Sequence, residues 1–331
     1  KGWKLFSDLD MTELIAQYNL DKTVSFVVPL NYFKNKYKGK MIKFYKLNGY
    51  KYIDALVTPE HTMVRINESG EISLFEAGDF SYKNRKGYSH RNDVIISGST
   101  VCKTTGLTNI EKLKIAFQAD GAFPSHKEDY TGIKGKGFPI RFSLKKKRKK
   151  DRLEYLLKAE NLNYTITKYD NGYYSFWINV PEKFVKDFSW VKLDEFGYSK
   201  CIDFINELQY WDGSVKNNCI TYSSINKFCV DIVQAVCAIS NCKTQFKEYK
   251  DLRKDSIRQT IYSLCIQPNK FKIKGNNIIR EEIDYNDYVY CVSVPSKMII
   301  TRRNNIILVC GNTEHSVMCL GSKENEINTF E

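Results

Sequence analysis

Asp120 and Asp212 each stand before a glycine at the end of an apolar stretch, Leu113 to Gly121 and Ile205 to Gly213. A single Asp-Gly is ordinary turn chemistry, and glycine there can take the left-handed conformation that stops a helix. Two such stretches in one chain carry more weight. Carboxylates brought together at neutral pH repel, so they require a cation between them, and a hard ion such as Mg²⁺ suits oxygen ligands. The element that must carry Asp120 is marked at both ends. Thr108 and Glu111 have the Thr-x-x-Glu spacing of a capping box, and Gly121 closes the run. Ala116 and Ala119 are small enough to let a partner helix approach.

The second stretch belongs to an internal repeat. Tyr222-Ser223 overlays Phe142-Ser143, and the same offset sets Lys227 on Lys147, Val233 on Leu153, Cys237 on Leu157, Asn241 on Asn161 and Phe246 on Ile166. Each half reads as helix, loop, strand, long helix and strands. In the first half these are a strand over 139–144, a basic run over 145–152 leading into Leu153, Leu156 and Leu157 at helical spacing, and two strands over 163–168 and 173–180 joined by Tyr169-Asp170-Asn171-Gly172. Two pseudo-equivalent halves with one acid each imply a pseudo-two-fold arrangement that brings Asp120 and Asp212 together.

The flanks read differently. Residues 23–77 form short β-like runs broken by turn residues, over 23–28, 40–45, 52–57, 61–66 and 71–75, and the pattern returns after Ser263 over 288–295, 297–301 and 306–310. Residues 78–106 are polar and turn-rich and make a boundary. Within the first β region, Thr58-Pro59-Glu60-His61 holds a hydroxyl and an imidazole on one bend, a pair able to polarise a carbonyl and protonate a leaving amine. The alternative is a plain turn with a surface histidine. After Gly311-Asn312-Thr313 the character changes again, so 314–331 reads as the start of a different protein. An all-β region is interrupted by an α/β one.

Composition bounds the partners. A chain of 331 residues predicts two domains, and a formal net charge of +13, concentrated in runs, favours a polyanion. Ten cysteines without a Cys-x-x-Cys pair, together with four histidines, argue against zinc. With no apolar run long enough to span a bilayer, the cysteines read as reduced, buried thiols of a cytosolic protein. The chain begins at Lys1, as a segment of something longer would.

On these residues the chain resembles an intein whose self-splicing, all-β Hint domain carries an inserted α+β LAGLIDADG homing endonuclease of the DOD type with pseudo-two-fold symmetry. The resemblance implies an N-terminal splicing part over 1–103, the endonuclease over 104–262, the C-terminal splicing part over 263–312 and a host fragment over 313–331. It makes 113–121 and 205–213 the paired motif helices, with Asp120 and Asp212 as catalytic metal ligands. Thr58 and His61 fit the family's Thr-x-x-His, which activates the upstream scissile peptide. Tyr290 to Pro295 and Leu308 to Thr313 resemble the C-terminal splicing blocks, in which Asn312 cyclises and Thr313 is the downstream nucleophile. Cys291 replaces a frequent aspartate and Gly311 a frequent penultimate histidine. Cysteine at 291 resembles a variant class with an internal nucleophile, but Met63 stands where that class has tryptophan, which favours ordinary splicing. The first splicing nucleophile is absent from the sequence, so splicing cannot be completed by these residues alone.

The family's fold implies a monomer in a bacterial or phage-infected cytoplasm that straddles double-stranded DNA, with Lys145, Lys147, Arg148 and Lys227 against phosphates and Mg²⁺ as cofactor. The expected activity is a double-strand cut in the uninterrupted host gene. A second reading keeps DNA binding and splicing but not cutting. The tail, Thr313-Glu314-His315-Ser316 and Glu326 to Glu331, is similar to nicotinamide phosphoribosyltransferases, with His315 at their catalytic position. That similarity implies such a host, or, as a third reading, that the chain is a fragment of one.

Overall fold

The computed structural model describes residues 2–10, 12–46, 53–80, 93–124, 137–251, 259–275, 278–312, 320–321 and 325–330. Thr313 and His315 lie outside them, as do 83–91 and most of the glycine-rich segment after Ala122.

Among the described residues the two ends of the chain build one β assembly. A nine-stranded sheet runs in the order Ile72–Glu76, Thr62–Ile66, Ile306–Gly311, Met298–Arg303, Asn325–Phe330, Leu14–Tyr18, Thr23–Val27 and Ser99–Thr100, with Gly2–Leu5 added on Asn325–Phe330. A closed barrel follows from Ile278–Ser293, Leu320–Gly321, Asp54–Val57 and Asn31–Lys46. The apolar runs that mark these strands serve two faces. Ile300, Ile307 and Val309 face the middle of the chain, whereas Ile299, Leu308 and Cys310 pack with Ile42, Phe44 and Val57 of the barrel. Alternation of period two is thus hidden, because both faces are buried.

Residues 109–267 supply four helices, α1 (Asn109–Asp120), α2 (Lys147–Ala159), α3 (Tyr198–Leu208) and α4 (Lys227–Ala238). Two four-stranded antiparallel sheets complete them, each built in the same order. Phe142 pairs with Phe176 as Tyr222 pairs with Leu264, and Ile166 pairs with Phe176 as Phe246 pairs with Leu264. Asn161 and Asn241, overlaid by sequence, both take positive φ, 51° and 54°, just past the ends of α2 and α4. The repeat is therefore structural. The hairpin at Tyr169 closes as read, with Tyr169 N–H donating to Tyr173 O at 2.9 Å and Gly172 at φ 81°.

Three expectations are corrected. The strands read over 40–45 and 288–295 belong, the second up to Ser293, to sixteen-residue strands, Asn31–Lys46 and Ile278–Ser293, paired along their whole length. Within 314–331, Asn325–Phe330 lies inside the large sheet and Ile327 is fully buried. The cysteines are not all thiols, because Cys219 and Cys265 form a disulfide between neighbouring strands; Cys201, Cys229, Cys237, Cys242, Cys291 and Cys310 are buried and outside any disulfide. Gly121 is not left-handed: its φ of −74° and ψ of 161° are those of a strand. Glycine is required there for another reason, since a Cβ would come within 2.8 Å of Phe117 Cα.

Candidate functional site

The helix leading to Asp120 starts as its sequence dictates. Thr108 accepts from Glu111 N–H at 3.2 Å while the Glu111 carboxylate accepts from Thr108 N–H at 2.9 Å, which satisfies two of the first-turn donors. Leu113, Ile115, Ala116 and Phe117 bury the shaft, so its last residue is delivered at a fixed place. The second acid is delivered differently. α3 ends at Leu208, and Asp212 sits in the turn that follows rather than at the helix tip.

Three contacts hold that turn. Glu207, 2% exposed, accepts from Arg152 Nε and from Trp211 Nε1, each at 3.0 Å, and Arg148 Nη1 donates to Gln209 O at 2.6 Å. The Arg152 guanidinium also lies 4.5 Å from the Tyr210 ring centroid. Helix α2 of one half thus grips the end of α3 of the other. A Cβ on Gly213 would lie 2.6 Å from Leu208 O, so this turn also needs a residue without a side chain.

The two acids meet at one ammonium. Lys149, buried on α2, bonds Asp120 Oδ2 and lies 3.7 Å from Asp212 Oδ1. A second amine, Lys186, donates to Phe117 O and Gly121 O, both at 2.8 Å, and so ties the end of α1, where Phe117 O also accepts the Gly121 N–H, to the residue that follows it. Burial pushes the Lys186 amine below its ordinary pKa, against the pull of Asp212 and Asp120. Burial likewise raises Asp212 above the usual carboxylate range; Lys149 opposes that shift and the like charge of Asp120 adds to it. A cleft of about 740 Å³ opens beside Asp212 and Lys186 and runs past Gln118, Ser223, Asn226 and Tyr249.

Sequence reasoning missed both lysines. Lys149 was hidden inside the run 145–152, where nothing but its helical phase with Leu153, Leu156 and Leu157 could have marked it as inward. Lys186 carried no signal. Of the four cations expected on DNA, Lys145 and Lys147 are exposed, Lys145 with its amine 5.5 Å from the Tyr173 ring centroid. Arg148 is committed to Gln209, and Lys227 pairs with Asp231 at 2.8 Å. Among the described residues no group of three or more His, Cys, Asp or Glu residues is arranged to hold a metal ion.

A second constellation forms in the β assembly. Thr58 and His61 are fully buried rather than on the surface, in a turn closed by His61 N–H to Thr58 O at 3.0 Å and fastened by Ala77 N–H to His61 O at 2.9 Å. The strand Ile306–Gly311 meets the strand after that turn through Cys310 opposite Met63. One residue further on, Gly311 lies against Thr62, and a Cβ on it would lie 2.5 Å from Thr62 Cβ. Asn312 is buried, with its N–H on Lys297 O at 2.8 Å and its Nδ2 on Val294 O at 3.2 Å. Thr58 Oγ1 and Asn312 Oδ1 are buried with no hydrogen-bond partner among the described residues. Cys291 is buried with Met41, Leu56 and Val289, its thiol 3.6 Å from Val292 O.

Among the described residues no helix is long and apolar enough to cross a membrane. No family model matches the chain. A ribonucleoside-diphosphate reductase subunit beta of Aquifex aeolicus is 29% identical over 365 positions, covering 100% of this chain and 50% of that protein. The chain thus spans about half the length of the curated relative it matches, and that match takes in residues 313–331, whose sequence had suggested a nicotinamide phosphoribosyltransferase. The N-terminal LAGLIDADG domain of DUF199/WhiA is similar at TM-score 0.33 and 15% identity, covering 49% of this chain and 78% of that one. I-DmoI, in a crystal structure with DNA and Mn, is similar at TM-score 0.30 and 16% identity, covering 48% and 90%.

Proposed function

We propose that residues 104–262 are a DNA endonuclease of the LAGLIDADG type and that the β assembly around them is a protein-splicing domain. The observation that carries the first part is the meeting of Asp120 and Asp212 at one ammonium, beside an open cleft. Their side chains are 24% and 35% exposed, so both carboxylates can be reached from solvent. A pair of carboxylates with room for phosphate oxygens suits Mg²⁺. Asp120 and Asp212 would hold the ion, which when bound supplies charge stabilisation at a phosphodiester and an acidified water. The chain's own residues do the rest. Lys149 and Lys186 offset the carboxylate charge as a phosphate enters, α2 keeps the Asp212 turn in place, and the exposed Lys145 and Lys147 suit backbone phosphates. The test is cleavage of duplex DNA spanning the uninterrupted insertion point, with Asp120→Asn expected to bind and not cut.

Lys149 also favours a second reading. An ammonium already bonded to Asp120 satisfies part of the need for a cation, as in a protein that binds DNA without cutting it. Titrating Mg²⁺ against cleavage separates the two readings, since cutting at any concentration excludes the second.

For splicing, the support is the approach of the strand that leads to Asn312 to the strand that follows His61, Cys310 standing opposite Met63, with buried oxygens on Thr58 and Asn312 that have no hydrogen-bond partner among the described residues. Leaving such atoms unsatisfied costs about 1–3 kcal/mol each, a cost that suits groups awaiting a peptide. Asn312 would attack its own backbone carbonyl through Nδ2, forming a succinimide as the peptide C–N bond breaks and the amine of Thr313 leaves, and His61 would be the proton donor to that amine. Asn312→Ala in a full precursor is expected to stop release of the downstream segment. The name of the curated relative supports a ribonucleoside-diphosphate reductase subunit beta as host.

A further inference from the structure

The long ribbon formed by Asn31–Lys46 and Ile278–Ser293 has a face with no role in either site. Lys34, Lys36, Lys38 and Lys40 occupy alternate positions of the first strand and all four are exposed. Side chains two apart on a strand share a face and stand about 7 Å apart, so these lysines form a straight row. Opposite them stand Tyr290, Tyr288, Asn286 and Asp284. The Lys34 amine lies 5.1 Å from the Tyr288 ring centroid and 5.8 Å from that of Tyr290. Lys40 pairs with Asp284 at 2.8 Å, and the next acid on this face, Glu282, bonds Arg280 at 3.1 Å. The acids that share this face, Asp284 and Glu282, therefore lie toward one end; Asp287 and Asp8 lie close to Tyr290 at the other, and Lys34, Lys36 and Lys38 stand opposite the neutral Tyr290, Tyr288 and Asn286. The strand Asn31–Lys46 holds six lysines and no acid.

We propose that the Lys34, Lys36 and Lys38 face is a second duplex-DNA contact, separate from the cleft at Asp120 and Asp212 and made to phosphates rather than to bases. The inference rests on the endonuclease reading, from which it takes its ligand. Charge complementarity argues for it: a duplex presents a dense, regular line of phosphates, and a straight row of amines on a stiff ribbon matches a line rather than a point. Tyr288, 43% exposed, adds a hydroxyl able to reach a phosphate oxygen. Contacts of this kind carry no sequence preference and add affinity and salt dependence.

The test compares the full chain with a Lys34→Gln, Lys36→Gln, Lys38→Gln variant on a mixed-sequence duplex of about 60 base pairs over a salt series. The expected result is affinity about tenfold or more weaker near 0.1 M salt, with the log–log salt slope reduced by about 3. A control with the same charge change, Lys183→Gln, Lys192→Gln, Lys270→Gln, is expected to stay within about twofold of the wild type. Equal affinity and slope for the ribbon variant and the wild type overturn the inference and leave the endonuclease reading standing. An equal loss in the control overturns it too, as a mere effect of net charge. Loss of binding to phosphatidylserine vesicles with duplex binding unchanged overturns it in favour of a membrane surface. A wild-type protein that binds no duplex at all sinks the inference and the endonuclease reading together.

Discussion

Burial of Asp212 makes its charge depend on pH in a range where most carboxylates are already ionised. The carboxyl is raised by its surroundings, so cutting, which needs it ionised, is expected to switch on above the ordinary carboxylate range. Lys149 lowers that pKa, and Lys149→Met is expected to move the acidic limb of the pH–rate profile to higher pH. The sign for stability is the reverse of that for activity. A carboxyl raised in the folded state favours folding at pH below its unfolded value, and this contribution is lost as pH rises through the folded value. Asp212→Asn is therefore expected to raise the urea midpoint at pH 8 more than at pH 4, while lowering cleavage at least about a hundredfold. Gly311 gives a second residue-scale expectation. If the proposed splicing operates, Gly311→His would force a side chain into Thr62 and is expected to slow release at Asn312. Faster release on a denaturing gel would contradict the packing seen at Thr62.

At the scale of elements, glycine after each acid is dictated by close approach. Gly121→Ala and Gly213→Ala are each expected to cost about 1–3 kcal/mol by overpacking, read from chemical denaturation. Much of this architecture was legible. The Thr108 and Glu111 capping box, the Asn171-Gly172 hairpin and the Asn161/Asn241 equivalence are local chemistry, and local chemistry survives folding. What stayed hidden depended on distant partners. Lys149 reads as one of a run until Asp120 and Asp212 face it, and the turn after α3 is held by Arg148 and Arg152 from outside the motif as well as by Trp211 within it. The strand Asn31–Lys46 alternates lysine with aromatic and small residues along much of its length, a pattern that shows its pairing with Ile278–Ser293 once both strands are laid side by side. The two splicing candidates Thr58 and His61 were found by spacing, whereas their burial was not, since a polar turn reads as surface.

Across the whole molecule the two parts share one core and one buried charge. Arg302, 1% exposed in the large sheet, donates to Asp231 of α4 at 2.6 Å and to Gln234 at 3.0 Å, and its guanidinium lies 4.7 Å from the Trp3 ring centroid. Trp3 in turn donates to Asp231 O at 3.2 Å. Removing Asp231 takes a carboxylate from a buried guanidinium, so Asp231→Ala is expected to cost about 3 kcal/mol. Because Ile300, Val309 and Val64 pack in the same cluster as Ile232 and Val233, the loss is expected in a single transition that reports both parts; two transitions, with only one shifted, would show that they fold separately.

The central claim is that Asp120 and Asp212 act as one site on DNA. Its most direct measurement incubates the purified chain with Mg²⁺ and duplex DNA spanning the uninterrupted insertion point of the host gene. The wild type is expected to make a double-strand cut at that point, and both Asp120→Asn and Asp212→Asn are expected to bind without cutting. A wild type that binds this duplex yet leaves it whole, or an Asp120→Asn variant that cuts as fast as the wild type, would contradict it.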